Sequence, residues 1–167
     1  MSHMNWKPLL EHHRWRLDLH AHLLQRHRPD FLASLGNLRE YTHHLEIIEE
    51  DGNLIGARSN THAGIRTLLP QEQGSILVQQ QRSAIHGPFE RGARWLILSG
   101  IGIGQSLLMA LPLLEKHSSA GVLAWEPDPY AWTAFFALFD ARRVIEDTDR
   151  LILFAGDTIH EQTASFL

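Results

Sequence analysis

Glycines at alternate positions, Gly100, Gly102 and Gly104, follow directly on the apolar run Trp95-Leu96-Ile97-Leu98. Lacking side chains, such residues let backbone N–H groups approach an anion, and a helix starting just after them points its positive end at it. Two carboxylates extend the pattern. Glu126 ends the apolar run Val122-Leu123-Ala124-Trp125, and Asp157 follows Leu151-Ile152-Leu153-Phe154-Ala155-Gly156. A carboxylate only accepts hydrogen bonds and can take two hydroxyls at once. Glu126, roughly 20 residues past the glycines, therefore suits a ribose diol. Asp157 would meet a base amine or a hydroxyl in the same cleft. Gly100, Gly102, Gly104, Glu126 and Asp157 are the candidate ligand-binding set.

The departures from known loops narrow the ligand. A dinucleotide fingerprint needs a third glycine after two intervening residues, and those positions hold Gln105 or Leu107. No Lys-Ser/Thr follows the last glycine, which excludes a P-loop. The spacing is closest to the G-x-G-x-G loop of S-adenosylmethionine-dependent methyltransferases, but the acid that usually stands two residues ahead of it is Leu98 here. The cofactor thus stays open between a nucleotide, S-adenosylmethionine and none. In the last case the glycines only make a tight turn, and Glu126 and Asp128 cap the next helix.

The elements that must position these residues are legible from pattern. Strands are predicted at 94–99, 121–126 and 150–155, with helices at 105–117 and 129–142 between them. Asp128 as N-cap and Pro129 at the first helical position mark the second helix start. Upstream, 8–28 reads as a helix, 30–38 as a short second one, and 41–58 as a β-hairpin turning at Asp51-Gly52. Residues 59–73 have no regular pattern, 75–86 lean to helix, and Gly87-Pro88 reads as a boundary. Phe135 and Phe139 share a helical face and read as core, whereas Trp132 and Phe136 are expected at the surface. The chain is accordingly α/β: a Rossmann-like parallel β-α-β-α-β unit at 89–167, preceded by a helix and β-hairpin region at 1–88. A parallel sheet needs both faces covered. Either the N-terminal elements supply the missing layer, or the native protein continues past Leu167.

Histidines crowd the first half. His13, His20 and His27 interleave with Leu10, Leu17, Leu24 and Phe31 at seven-residue spacing. Seven residues of helix span about 10 Å, too far for one ion to bridge. They read as a seam packing on the hairpin or a partner helix, with no metal role, and as a contact that loosens when charged near pH 6. Bulk composition excludes other classes. With 15 basic and 19 acidic residues the formal charge is −4, so nothing recruits nucleic acid. The chain has no cysteine, no apolar run near membrane length and no signal-peptide pattern, and a cytoplasmic location is expected.

Three motifs together carry a family resemblance: Gly100-Ile101-Gly102-Ile103-Gly104, Trp125-Glu126-Pro127-Asp128-Pro129 and Phe154-Ala155-Gly156-Asp157. With the lead-in Pro29-Asp30-Phe31-Leu32 and the Asp51-Gly52 turn, residues 35–160 resemble the N-terminal region of the motility-associated factor (Maf) glycosyltransferases. The resemblance implies a multi-domain bacterial protein that transfers a nonulosonic sugar from a cytidine-monophosphate donor to flagellin serine or threonine. It implies that the catalytic domain follows this module, which would serve interaction or acceptor recognition. Its partners would be flagellin and that downstream domain. The alternative, from another class, is a methyltransferase-like domain or its front half.

Overall fold

The computed structural model describes residues 5–69 and 75–156. The chain starts with a short strand β1 (Lys7–Pro8), then helices α1 (Glu11–His27), α2 (Pro29–Leu35) and α3 (Leu38–Thr42). Strands β2 (Leu45–Glu50), β3 (Asn53–Thr61) and β4 (Gly64–Leu69) follow, then helix α4 (Ser75–Glu90). The remainder alternates: β5 (Trp95–Ser99), α5 (Gln105–Lys116), β6 (Gly121–Glu126), α6 (Pro129–Leu138), α7 (Arg142–Glu146) and β7 (Leu151–Ala155). Two sheets result. The first is an antiparallel β1-β2-β3-β4 meander and the second a parallel β5-β6-β7 sheet, giving the expected Rossmann-like α/β architecture.

The Asp51-Gly52 turn joins β2 to β3 with positive φ at both residues, 51° and 77°. That is the twist a two-residue hairpin requires. The hairpin differs from expectation at both ends. Residues 41 and 42 close α3, and β3 continues into a third strand, β4, through a stretch that has no alternating pattern. Its register is set by pairing, with Ser59 opposite Arg66 and Thr61 opposite Gly64. Gly87-Pro88 does not end α4, which runs on to Glu90 because Phe89 is buried and stacks on the His117 ring. The long helix expected at 129–142 breaks into α6 and α7, with Phe139 capping the first in extended conformation.

Helix α6 accounts for the largest correction. Trp132 and Phe136, expected at the surface, are fully buried. One side of α6 faces the parallel sheet, and α1 to α3 cover the other. Phe31 of α2 meets the Trp132 ring edge-on at 5.0 Å, and Trp132 stacks on Phe136 at 5.8 Å. A helix apolar all round is what a middle layer demands.

Polar clamps weld α1 to this layer. Arg16 donates to the Leu138 carbonyl at 2.5 Å, and Arg28 donates to those of Val144, Ile145 and Asp147 at 2.8–2.9 Å. These carbonyls close the last turns of α6 and α7, where cations are favoured. Burial holds the Arg28 guanidinium down to a pKa of about 10, still charged at neutral pH. The core runs without a break from Leu9 through α1 and α6 to Ala155.

Candidate functional site

Strand β5 delivers the glycine turn to the carboxyl edge of the parallel sheet, beside the end of β6. Each glycine N–H is spent inside the protein. Gly100 donates to the Trp125 carbonyl at 2.8 Å, Gly102 to Glu126 Oε2 at 3.1 Å, and Gly104 to the Ile101 carbonyl at 2.8 Å. Gly104 is the N-cap of α5 at φ 84°. A side chain there would collide with Phe135, whose ring lies 2.2 Å from the position a Cβ would take. The turn is tight because α6 presses on it.

Glu126 is 1% exposed. While Oε2 takes the Gly102 N–H, Oε1 takes the Asp128 N–H at 3.0 Å. Its carboxylate therefore ties the turn after β5 to the turn after β6. The Glu126 carbonyl also accepts from the Trp132 indole at 3.0 Å, which fixes α6 to the same point. Asp128 caps α6 as expected, its Oδ1 accepting from the Tyr130 N–H at 2.9 Å.

The residue that sequence reading missed is Arg66. From β4 it places Nη1 2.7 Å from Asp128 Oδ2 and Nη2 3.7 Å from Glu126 Oε1, with 58% of its side chain in solvent. Beside it, the Leu68 carbonyl lies 3.2 Å from where a Cβ on Gly102 would stand. Strand β4 thus sits over the glycine turn and screens the acid pair. A ribose would reach Glu126 only after β4 had moved. Of the predicted set, the structure brings Gly100, Gly102, Gly104 and Glu126 together; Asp157 lies outside the described residues. A cation in an otherwise patternless stretch was the one available signal for Arg66.

Asp128 offers a graded test of this cluster. Asp128→Asn keeps the cap acceptor and loses an ion pair whose partner is solvated, so urea midpoints should move by less than about 1 kcal/mol. Asp128→Ala removes the cap and should cost about 1–2 kcal/mol.

Two of the three seam histidines, His13 and His20, are buried against the elements around them. His13 faces β2, its Nε2 3.8 Å from Glu49 Oε1, and His20 packs on α6. Among the described residues no group of three or more His, Asp or Glu side chains is placed to hold a metal ion, and no helix is long and apolar enough to cross a membrane. A cavity of about 680 Å³ is lined by Asp140, Arg142, Arg143, Glu146 and Asp147, at α7 rather than at the glycine turn.

No family model matches the sequence, and no curated protein matches it significantly. Among solved structures, the fold is similar to that of a Maf glycosyltransferase from Magnetospirillum magneticum AMB-1, with a TM-score of 0.54 at 14% identity. The match covers 92% of this chain and 29% of the other, so this chain spans less than a third of its neighbour's length. At that identity the likeness is one of fold.

Proposed function

We propose that this chain is the non-catalytic N-terminal module of a cytoplasmic, Maf-type protein that glycosylates flagellin with a nonulosonic sugar. The module serves interaction or acceptor recognition, and sugar transfer belongs to a domain that follows it. The observation that carries this reading is the fold match, which takes in nearly all of this chain and under a third of a glycosyltransferase. The candidate site supports a non-catalytic role. Its three glycine N–H groups and both Glu126 oxygens already have partners within the protein, so among the described residues these groups are engaged in holding the two turns together.

Two measurements on the purified chain test the proposal. Thermal melting with cytidine nucleotides and with S-adenosylhomocysteine should show no shift, whereas a ligand at 100 times its Kd would add about 2.7 kcal/mol. Surface-immobilised flagellin from the source organism should retain the chain. A shift with S-adenosylhomocysteine, reduced by Glu126→Gln, would instead establish the methyltransferase-like alternative. Failure to bind flagellin would remove acceptor recognition.

A further inference from the structure

Helix α1 buries one face and leaves the opposite one bare. His13, Leu17, His20 and Leu24 are the buried side. The outer side carries Glu11, Trp15, Leu19, His22 and Arg26, all exposed, at spacings of four, four, three and four residues. Such spacing holds a single line along a helix, here about 22 Å long. Trp15 is 68% and Leu19 37% exposed, so an aromatic and an aliphatic side chain stand one turn apart in water along that line. The residues flanking the stripe are engaged elsewhere: Asp18 pairs with Arg39 of α3, and Arg16 reaches the Leu138 carbonyl. Glu11 and Arg26, at the two ends of the stripe, have no ion pair among the described residues.

We propose that this stripe is a dimer seam, on which α1 of a second copy of this chain packs antiparallel. Charge complementarity selects that occupant. A two-fold axis crossing the pair between Asp18 and Leu19 places Glu11 beside the partner's Arg26 and Trp15 beside the partner's His22. The two Leu19 side chains then meet next to the axis. A parallel pair would instead set Glu11 against Glu11 and Arg26 against Arg26, and would align the two helix dipoles unfavourably. Both ends of the stripe therefore match only when the copies run in opposite directions, and one surface serves both partners, as a two-fold interface requires. Burial of Trp15 and Leu19 drives the association, while the charges at the ends fix its direction and register. A contact about 22 Å long and one helix wide, roughly 10 Å, falls short of the roughly 1,000 Å² of total buried surface that marks a tight interface. The dimer is accordingly weak, forming at a chain concentration on the order of 100 μM.

Sedimentation equilibrium of the whole chain, from about 10 to about 500 μM, should show a monomer–dimer equilibrium that Trp15→Ala abolishes. Glu11→Lys and Arg26→Glu should each weaken the dimer about tenfold, because each turns two symmetry-related attractions into repulsions. The double reversal Glu11→Lys/Arg26→Glu should restore it. The chain has no cysteine, so a single introduced thiol gives an independent readout. Leu19→Cys should yield disulfide-linked dimers under mild oxidation, whereas Arg14→Cys, exposed on the same helix but off the stripe, should not. A parent chain still monomeric at about 500 μM would overturn the proposal and leave the stripe to a different partner. A dimer indifferent to Trp15→Ala, equal disulfide yields from the two thiols, or a double reversal no better than the single ones would overturn it equally.

Discussion

Glu126→Ala is expected to cost about 3–5 kcal/mol, a large part of the stability of a domain this size. The carboxylate is buried, and its removal strands two N–H donors, those of Gly102 and Asp128, each worth about 1–3 kcal/mol when left unpaired. Arg66 adds little to this loss, because its exposed guanidinium returns to water and keeps Asp128. Glu126→Gln should fall between the variant and the parent. Its amide oxygen can satisfy one donor, but its NH2 group meets the other head-on. Urea unfolding followed by circular dichroism would rank the three proteins. A Glu126→Ala chain as stable as the parent would mean that the two turns are not held through this carboxylate.

The same carboxylate shows what the sequence could and could not disclose. Strands β5, β6 and β7 were readable because each is a short apolar run bounded by glycine, proline or an acid, and the Asp128-Pro129 start of α6 is a purely local signal. Glu126 stood out by type and position. Its partners did not, since two are backbone N–H groups and the third, Arg66, lies 60 residues earlier on a strand recognisable only by its pairing with β3. Burial of Trp132 and Phe136 was hidden for a related reason. The pattern of α6 shows apolar residues on every side, but which neighbour covers the second side depends on α1 to α3 docking there, and that docking is carried by arginine and histidine contacts to carbonyls far away in the chain. Local grammar was legible, and long-range polar contacts were not.

Acid should begin to destabilise this protein below about pH 6.5, through His13 and His20 of α1. His20 is held by two opposed bonds: Nδ1 lies 2.7 Å from the Phe136 carbonyl, so it carries the proton, and Nε2 accepts the Ala141 N–H at 3.3 Å. Protonating Nε2 turns that acceptor into a donor facing a donor. His13 Nδ1 likewise accepts from the Leu10 N–H at 3.1 Å, at the start of α1. Burial is the main cause that lowers both pKa values, His13 to about 4, with neighbouring His12 and Arg16 adding to the shift and Glu49 opposing it. At His20 the Phe136 carbonyl and Asp140 oppose the burial effect while Arg16 and Arg142 reinforce it. The sign follows directly. At these two positions the unfolded chain takes up protons near pH 6.5 and the folded chain only at lower pH, so their contribution to stability is complete above that pH and declines below it. His13 contributes a slope of up to about 1.4 kcal/mol per pH unit, which accumulates to roughly 3 kcal/mol by pH 4, and His20 adds to it with the same sign. Asp140, held down to a pKa of about 2 chiefly by its hydrogen bonds to Arg142, stays ionised across this window and does not confuse it. The loosening foreseen near pH 6 therefore becomes a falling melting temperature that begins there, with His13 and His20 resisting protonation in the folded chain. Urea midpoints between pH 7.5 and 4.5 should decline along this slope. His20→Gln should flatten the decline, since its amide can accept the Ala141 N–H without titrating, and an unchanged slope in that variant would remove His20 from the account.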